Sequence, residues 1–490
     1  MKTKGMKHQL EALRRMNGRE EFGLFMEQGT GKTWTLLADI ERLYAAGKID
    51  AALVIAPKGV HTNWVRREIP EHMEGEVIAR AWRSGAGKRE MSRIEEVLRP
   101  RGDGEVVPLR VLAINIDAIS TKAGFEFAAK FLRCTRSAIV VDESSRIKSP
   151  DALRTKQINR LRIHAIIARI ATGTPITNSP VDVFSQMEFL KSGLLGTTSY
   201  RAFTAEYAEL LSPNHPLIQT MARRNPRAAR AQVVATNPDG SKRWRNLDKL
   251  QRLLEPHTFR VLKSECLDLP EKIYQQVYFD LDPAQEKAYQ LMEKECRLEL
   301  DSGELTAVAK LAAIVKLQQI TSGFIMRPQA DGGGVQYIGE SNPRIKALME
   351  MMEEAPQKTI IWARFKEEIR AISAALRHAG RRVVEYHGEV TTADREVAID
   401  SFQNGDTEVF IGQPQSGGIG ITLTRAEWVV YYSNDFNLET RLQSEDRAHR
   451  IGTKSNVVYT DLVATGTIDE AITRSLQRKE KLASTILGDN

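Results

Sequence analysis

The sequence predicts an α/β fold: two parallel-sheet domains in tandem, with a mostly helical interval between them. Three observations predict it. From Phe22 to about Leu195 short apolar runs alternate with helical stretches, between about Ser192 and Met326 the alternation stops, and beyond a glycine-containing stretch at Arg327 to Pro343 it resumes. Apolar strands separated by helices pack as a parallel sheet covered on both faces, and ligands of such sheets sit beyond the carboxyl ends of the strands. A chain of 490 residues is also too long for one ordinary core.

In the first domain, residues 1–195, strands are expected at Phe22 to Met26, Ala51 to Ala56, Arg110 to Asn115, Ala138 to Val141 and Ile166 to Ala171. Helices between them include Thr33 to Ala46 and Pro180 to Leu190. In the interval 196–326, Tyr200 to Leu211, Pro283 to Leu300 and Leu305 to Ile320 carry helical spacing. Arg223 to Arg252 is loop-rich and basic, with Trp244 among Arg223, Arg224, Arg227, Arg230, Lys242, Arg243, Arg245 and Arg252. An aromatic amid basic residues suits a nucleic-acid track, whereas a charge run on a solvated insertion is the commoner case. Residues 327–343, around Gly332-Gly333-Gly334, read as a linker. In the second domain, 344–490, strands are expected at Thr359 to Ala363, Arg382 to Tyr386, Glu408 to Ile411, Glu427 to Tyr432 and Asn456 to Leu462. Its helices are expected at Lys366 to Arg377, Thr392 to Gln403, Leu438 to His449 and Ile468 to Leu482.

Apolar residues at 42% and charged residues at 27% describe a soluble globular protein rather than a disordered one. The 70 Lys and Arg against 63 Asp and Glu leave a net charge of +7, modest for the length. That balance fits contact with a polyanion and fits a merely soluble basic surface equally well. Met1 to Arg15 lacks an apolar core, so no secretory signal is expected, and no apolar run is long enough to cross a bilayer. Cys134, Cys266 and Cys296 lie far apart and show no metal-ligand spacing, and no structural zinc is expected.

The stretch Phe25 to Thr33 joins a buried strand to a helix through Gly29-Thr30-Gly31-Lys32-Thr33. Gly29 and Gly31 let backbone N–H groups turn inward, the helix N-terminus adds positive potential, Lys32 reaches the β- and γ-phosphates, and Thr33 can hold Mg²⁺. This predicts a nucleotide, ATP in the first place. Met26 stands where the P-loop pattern has glycine, so an ordinary strand-to-helix turn is the competing reading of this stretch alone.

A second signal is the apolar run Ala138 to Val141 ending in Asp142-Glu143. A carboxylate pair at a strand end can hold a metal through Asp142 and orient or deprotonate water through Glu143. Alone, such a pair is also a common helix cap. Ala171-Thr172-Gly173-Thr174-Pro175 follows the next expected strand as a close-packed turn, and could shift when the metal site changes. Farther on, Arg447 and Arg450 stand three apart on the helix expected at Leu438 to His449, placing two guanidiniums on one face. Such a pair can reach a phosphate, or can form surface ion pairs with Glu445 and Asp446. Ser416-Gly417-Gly418-Ile419-Gly420 is a further glycine-rich turn able to offer N–H groups to phosphate.

In the order Gln9, Gly29 to Thr33, Asp142-Glu143, Thr172 to Pro175, Ser416 to Gly420 and Gln443 to Gly452, the chain resembles a superfamily 2 helicase. More narrowly it is similar to the Swi/Snf-type family of DNA-translocating ATPases. The narrow likeness rests on Ile55-Ala56-Pro57-Lys58 with Trp64 and Glu68, Arg146-Ile147-Lys148, Thr174 to Asn178, Phe259 to Lys263 with Leu269-Pro270, and Asp446 to Gly452. That family also lacks the first glycine, so Met26 fits it.

The resemblance implies two RecA-like domains with a helical protrusion, ATP and Mg²⁺ as cofactors, and duplex DNA as partner. It implies that Gln9 contacts adenine, that Gly29, Thr30, Gly31, Lys32 and Thr33 bind the phosphates, and that Thr33 and Asp142 hold the metal. Glu143 would act on water, with Gln443, Arg447 and Arg450 completing catalysis at the γ-phosphate and Gly418 and Gly420 near phosphate. Lys58, Thr172, Gly173, Thr174 and Ser416 would lie on the nucleic-acid or coupling path. The activity implied is an ATP-driven duplex-DNA translocase. A strand-separating DNA or RNA helicase, and a nucleotide-gated DNA-binding or recruitment module without productive hydrolysis, are the alternatives. Two departures stand out: Ser144-Ser145 where the family's acidic motif usually ends in histidine, and Asp435-Phe436-Asn437-Leu438 where it usually has Trp and Pro. A compact motor of this kind would suit a cytoplasmic setting, in a bacterium or a virus-infected cell.

Overall fold

The structure, a computed structural model, describes residues 1–99, 108–224, 232–302, 307–327, 333–417 and 421–489. It divides into two compact units, Met1–Leu267 with Lys479–Asn490, and Asp268–Arg478.

The first unit is built on seven strands: β1 (Glu21–Met26), β2 (Ala51–Ala56), β3 (Val77–Ala81), β4 (Leu109–Asn115), β5 (Ser137–Asp142), β6 (Ile167–Ala171) and β7 (Thr258–Val261). They lie in the order β3-β4-β2-β5-β6-β1-β7, with every neighbouring pair parallel. The middle strands are apolar throughout because helices cover both faces. In β2, Leu53 and Ile55 enter one core while Ala52 and Val54 enter the other, and β5 divides Ile139 and Val141 from Ala138 and Val140 in the same way. Strand alternation thus feeds two cores from one sheet. The last turns of the helix Ile468–Leu487 also belong to this unit: Ile486 is fully buried in the first core, with Leu482 and Leu487 packed against it.

The second unit has a six-stranded sheet of β8 (Lys272–Phe279), β11 (Thr359–Trp362), β12 (Val383–Tyr386), β13 (Val409–Gly412), β14 (Trp428–Tyr431) and β15 (Val457–Ala464). Its order is β12-β13-β11-β14-β15-β8, again all parallel. Separately, β9 (Phe324–Met326) and β10 (Val335–Tyr337) pair as an antiparallel ribbon.

The expected strands and helices are present with ends shifted by a few residues, and five strands have no sequence counterpart: β3, β7, β8, β9 and β10. The division of the chain also differs from the sequence expectation. The change of unit falls at Leu267/Asp268, because β8 joins the second sheet beside β15. The expected helical interval is therefore shared: Tyr200–Tyr207, Pro216–Arg224 and Leu247–Leu254 belong to the first unit, Pro283–Ser302 and Ala307–Thr321 to the second. The stretch read as a linker holds β10 and the cap Asn342, whose side chain accepts from the Arg344 and Ile345 N–H groups of the helix Pro343–Glu353; Gly332 lies outside the described residues.

The basic interval resolves toward a solvated insertion. Trp244 packs against the first core, Arg243 pairs with Glu209 at 3.0 Å, Lys249 with Glu206 at 2.8 Å and Arg252 with Asp248 at 2.9 Å. Arg245 donates to the Ala205 and Glu206 carbonyls, while Arg227 and Arg230 lie outside the described residues. Among the described residues no helix is long and apolar enough to cross a membrane.

Candidate functional site

Because β2, β5, β6 and β1 are consecutive neighbours and all parallel, the loops that follow Ala56, Asp142, Ala171 and Met26 emerge at the carboxyl ends of the strands, on one side of the first sheet. That single topological fact gathers Lys58, Asp142-Glu143, the Thr172 to Thr174 turn and the glycine-rich loop.

The loop after β1 runs into the helix Lys32–Ala45. Gly29 and Gly31 sit at φ of 81° and 86°, the left-handed region that favours glycine. A side chain at Gly31 would also collide with the Gln9 amide, which lies against the loop and donates to the Thr30 carbonyl at 3.3 Å. Gln9 is fixed in turn by accepting from the Met6 N–H at 2.8 Å, and His8 Nε2 bonds the Thr30 carbonyl at 2.7 Å. Thr30 folds its hydroxyl onto the Glu27 carbonyl. Lys32 is buried, and its ammonium bridges the Met26 and Glu27 carbonyls at 3.1 and 3.4 Å, so it lies over the loop mouth. Thr33 follows in the first helical turn.

Asp142 ends β5 and is buried. Its Oδ2 accepts from the Trp64 indole N–H at 2.9 Å and its Oδ1 from the Glu143 N–H at 3.0 Å. Burial pushes this carboxyl up from its ordinary range, opposed by the Trp64 hydrogen bond and the Lys32 charge. Trp64 is fully buried and opens a π-helical turn, Trp64–Glu68, inserted between the helices Val60–Asn63 and Ile69–His72. Sequence reasoning used Trp64 only as a family marker. Its tie to Asp142 spans 78 residues, and no local pattern announces it.

Glu143 has φ 55° and ψ 57°, one of two non-glycine residues in the left-handed region among the described residues. Holding an L-residue there costs roughly 1–2 kcal/mol, and such strain persists at functional positions because surrounding structure enforces it. Thr172 donates its hydroxyl to Glu143 Oε2 at 3.2 Å. The turn also abuts the glycine-rich loop: a Cβ on Gly173 would stand 3.0 Å from the Gln28 backbone nitrogen, so glycine permits the approach. Arg260 of β7 donates to the Phe25 and Gly173 carbonyls at 3.0 and 3.2 Å and pairs with Asp489 at 2.5 Å. Thr174 is buried beside this turn, and Lys58 is exposed just past β2.

In the second unit the helix carrying Gln443 and Arg447 spans Leu438–Ala448 and ends one residue earlier than expected, with His449 as its cap. Arg450 therefore lies beyond the helix, in a turn closed by Thr453 and by Gly452 at φ 103°. Both guanidiniums nevertheless reach the segment after the glycine-rich turn: Arg447 Nη1 donates to the Ile421 carbonyl at 3.5 Å and Arg450 Nη1 to Thr422 Oγ1 at 3.1 Å. Gln443 Nε2 donates to Glu439 at 3.3 Å. The helix is not a solvated one. Glu445 is buried and pairs with Arg441 at 2.8 Å and Lys272 at 3.3 Å, accepting also from the Tyr274 hydroxyl. Arg441 adds an ion pair with Asp461 and lies 3.5 Å over the Tyr431 ring. The Asp435-Phe436-Asn437 departure serves this helix, since Asn437 caps it through the Thr440 N–H and Phe436 packs on Leu438 and Ile472. Ser416 falls in the short helix Pro414–Gly417, and Gly418 and Gly420 lie outside the described residues.

Comparisons with known proteins follow the same outline. A family model described as an SNF2-related domain matches residues 8–324, and one described as a helicase conserved C-terminal domain matches residues 343–452. The mouse "Chromodomain-helicase-DNA-binding protein 1-like" is 23% identical over 479 residues, 94% of this chain and 47% of that protein. The Bacillus subtilis "Putative ATP-dependent helicase/translocase YwqA" is 24% identical over 476 residues, 94% of this chain and 46% of that protein. The chain thus spans just under half the length of these curated relatives. The solved "Sulfolobus solfataricus SWI2/SNF2 ATPase core in complex with dsDNA" aligns over 100% of this chain and 94% of that one, at 23% identity and a TM-score of 0.41. With the first of the two family models covering well over half of the chain, this protein belongs to the SNF2-related family.

Proposed function

We propose that this protein is a DNA-stimulated ATPase that couples ATP hydrolysis to movement along duplex DNA. The observation that carries the reading is the common carboxyl end of the internal strands, where the phosphate loop, the Asp142-Glu143 pair and the Thr172 to Thr174 turn touch one another. In this reading the backbone N–H groups from Gly29 to Thr33 and the Lys32 ammonium hold the phosphates, and Gln9 at the loop recognises adenine. Thr33 and Asp142 offer hard oxygen donors that fit Mg²⁺, which would neutralise charge on the phosphates. Glu143 accepts the proton of the attacking water. Arg447 and Arg450 supply positive charge to the transferring phosphoryl group. Lys58, Ser416 and the Thr172 turn lie on the path by which nucleic acid influences that chemistry.

The test is ATPase turnover alone and with single-stranded DNA, duplex DNA or duplex RNA. Duplex DNA is expected to stimulate most, and steeply less so as salt rises, because phosphate contacts release counterions. Equal turnover in all four samples would overturn the assignment, and separation of a labelled forked duplex would move it to a strand-separating helicase.

Trp64 gives a second expected result. W64F keeps most of the ring volume and removes the N–H that orients Asp142. The Mg²⁺ concentration for half-maximal turnover should rise about tenfold, as for loss of a partner behind a metal ligand. A Mg²⁺ titration identical to wild type would leave Trp64 with packing alone.

A further inference from the structure

The side chain of Gln186 is fully buried on the helix Asp182–Leu190, among the core residues Val183, Met187 and Leu190. An amide in such surroundings is costly unless its groups are paired, and a leucine would fill the space without that cost. Gln186 is paired on both ends. Its Oε1 accepts from the Ser144 hydroxyl at 2.8 Å, and its Nε2 donates to the Pro175 carbonyl at 2.7 Å and to the Asp182 carbonyl at 2.8 Å.

Those partners lie next to the two loops that matter. Ser144 adjoins Glu143 and stands in the part of the acidic motif that departs from the family pattern, while Pro175 closes the Thr172 to Thr174 turn. Thr172 already donates to Glu143, so the two loops are joined twice: once directly, and once through Ser144 and Gln186. Bonds arranged in this closed ring leave the turn little freedom to shift without carrying Glu143 with it. The first turn of the same helix grips the continuation of the turn: Asp182 Oδ2 accepts from the Thr177 and Asn178 N–H groups at 3.0 and 2.8 Å, and Oδ1 from the Ser179 hydroxyl at 3.1 Å.

We infer that Gln186 is a positioning residue that transmits displacement of the Thr172 to Thr177 turn to the catalytic carboxylate, and so sets how strongly nucleic acid accelerates hydrolysis. This rests on the functional reading above. Gln186 touches neither nucleotide nor nucleic acid; it acts through Ser144 and Pro175.

The experiment is a double-mutant cycle of S144A and Q186L, read as turnover without and with duplex DNA. Each single variant should bind ATP and keep basal turnover within about twofold, while losing about fivefold of the DNA stimulation, the scale of one buried hydrogen bond. The double variant should lose no more than either single one, because both remove the same link. A simple packing defect would lower basal and stimulated rates together. Should Q186L fail to fold, Q186M, unbranched and closer in shape, replaces it. Stimulation retained in both single variants, or losses that multiply in the double variant, would overturn the inference. A wild-type protein that duplex DNA does not stimulate would overturn the functional reading and this inference with it.

Discussion

E143Q should bind ATP as tightly as the wild type and turn it over about a thousandfold more slowly. The amide has the shape of the carboxylate and can still accept from Thr172, so the left-handed backbone and the turn contact are expected to survive. It cannot take a proton from water, and removal of a positioned base lowers rates by about 10²–10⁴. Isothermal titration with a non-hydrolysable ATP analogue, set beside steady-state phosphate release, separates the two effects. Turnover within about tenfold of wild type would mean that Glu143 is not the base.

R450A should likewise retain ATP binding and lose about a thousandfold in turnover, with or without DNA. Arg450 stands outside the helix, with one guanidinium nitrogen on Thr422 and its backbone N–H on Thr453, so truncation removes charge without opening a core. R450K should recover little, because a single ammonium does not reproduce the planar fork of a guanidinium. Arg447 is more buried, and its replacement mixes loss of charge with loss of packing. Unchanged turnover in R450A would take Arg450 out of the phosphoryl-transfer step.

What the sequence made legible follows burial. The internal strands β2, β5 and β14 are covered on both faces, read as continuous apolar runs and were placed to within a residue or so. Three of the four edge strands of the two parallel sheets, β3, β7 and β8, have no sequence counterpart, and β8 shows why: Lys-Ile-Tyr-Gln-Gln-Val-Tyr-Phe leaves Ile273, Tyr274 and Tyr278 exposed and turns only Val277 and Phe279 to the core. Without β8, the sequence expectation starts the second domain at residue 344, well past the change of unit at Leu267. At the candidate site, the glycine-rich loop is contiguous in sequence and so is legible there. The ties from Trp64 to Asp142 and from Gln186 to Ser144 and Pro175 join distant segments through single side chains, and such pairings leave no periodic trace.

The discontinuity of the first unit has a consequence for the order of events during synthesis. Domains generally fold as they emerge, N-terminal first. Here the first sheet, the glycine-rich loop and Arg260 leave the ribosome well before Ile486 and Asp489, with the whole of Asp268–Arg478 in between. Until those last turns arrive, the first core lacks Ile486, and Arg260, which braces the Phe25 and Gly173 carbonyls beside the glycine-rich loop, lacks its carboxylate partner. A nascent chain therefore carries the complete glycine-rich loop on an unfinished support, and the brace closes only after the second sheet has been made.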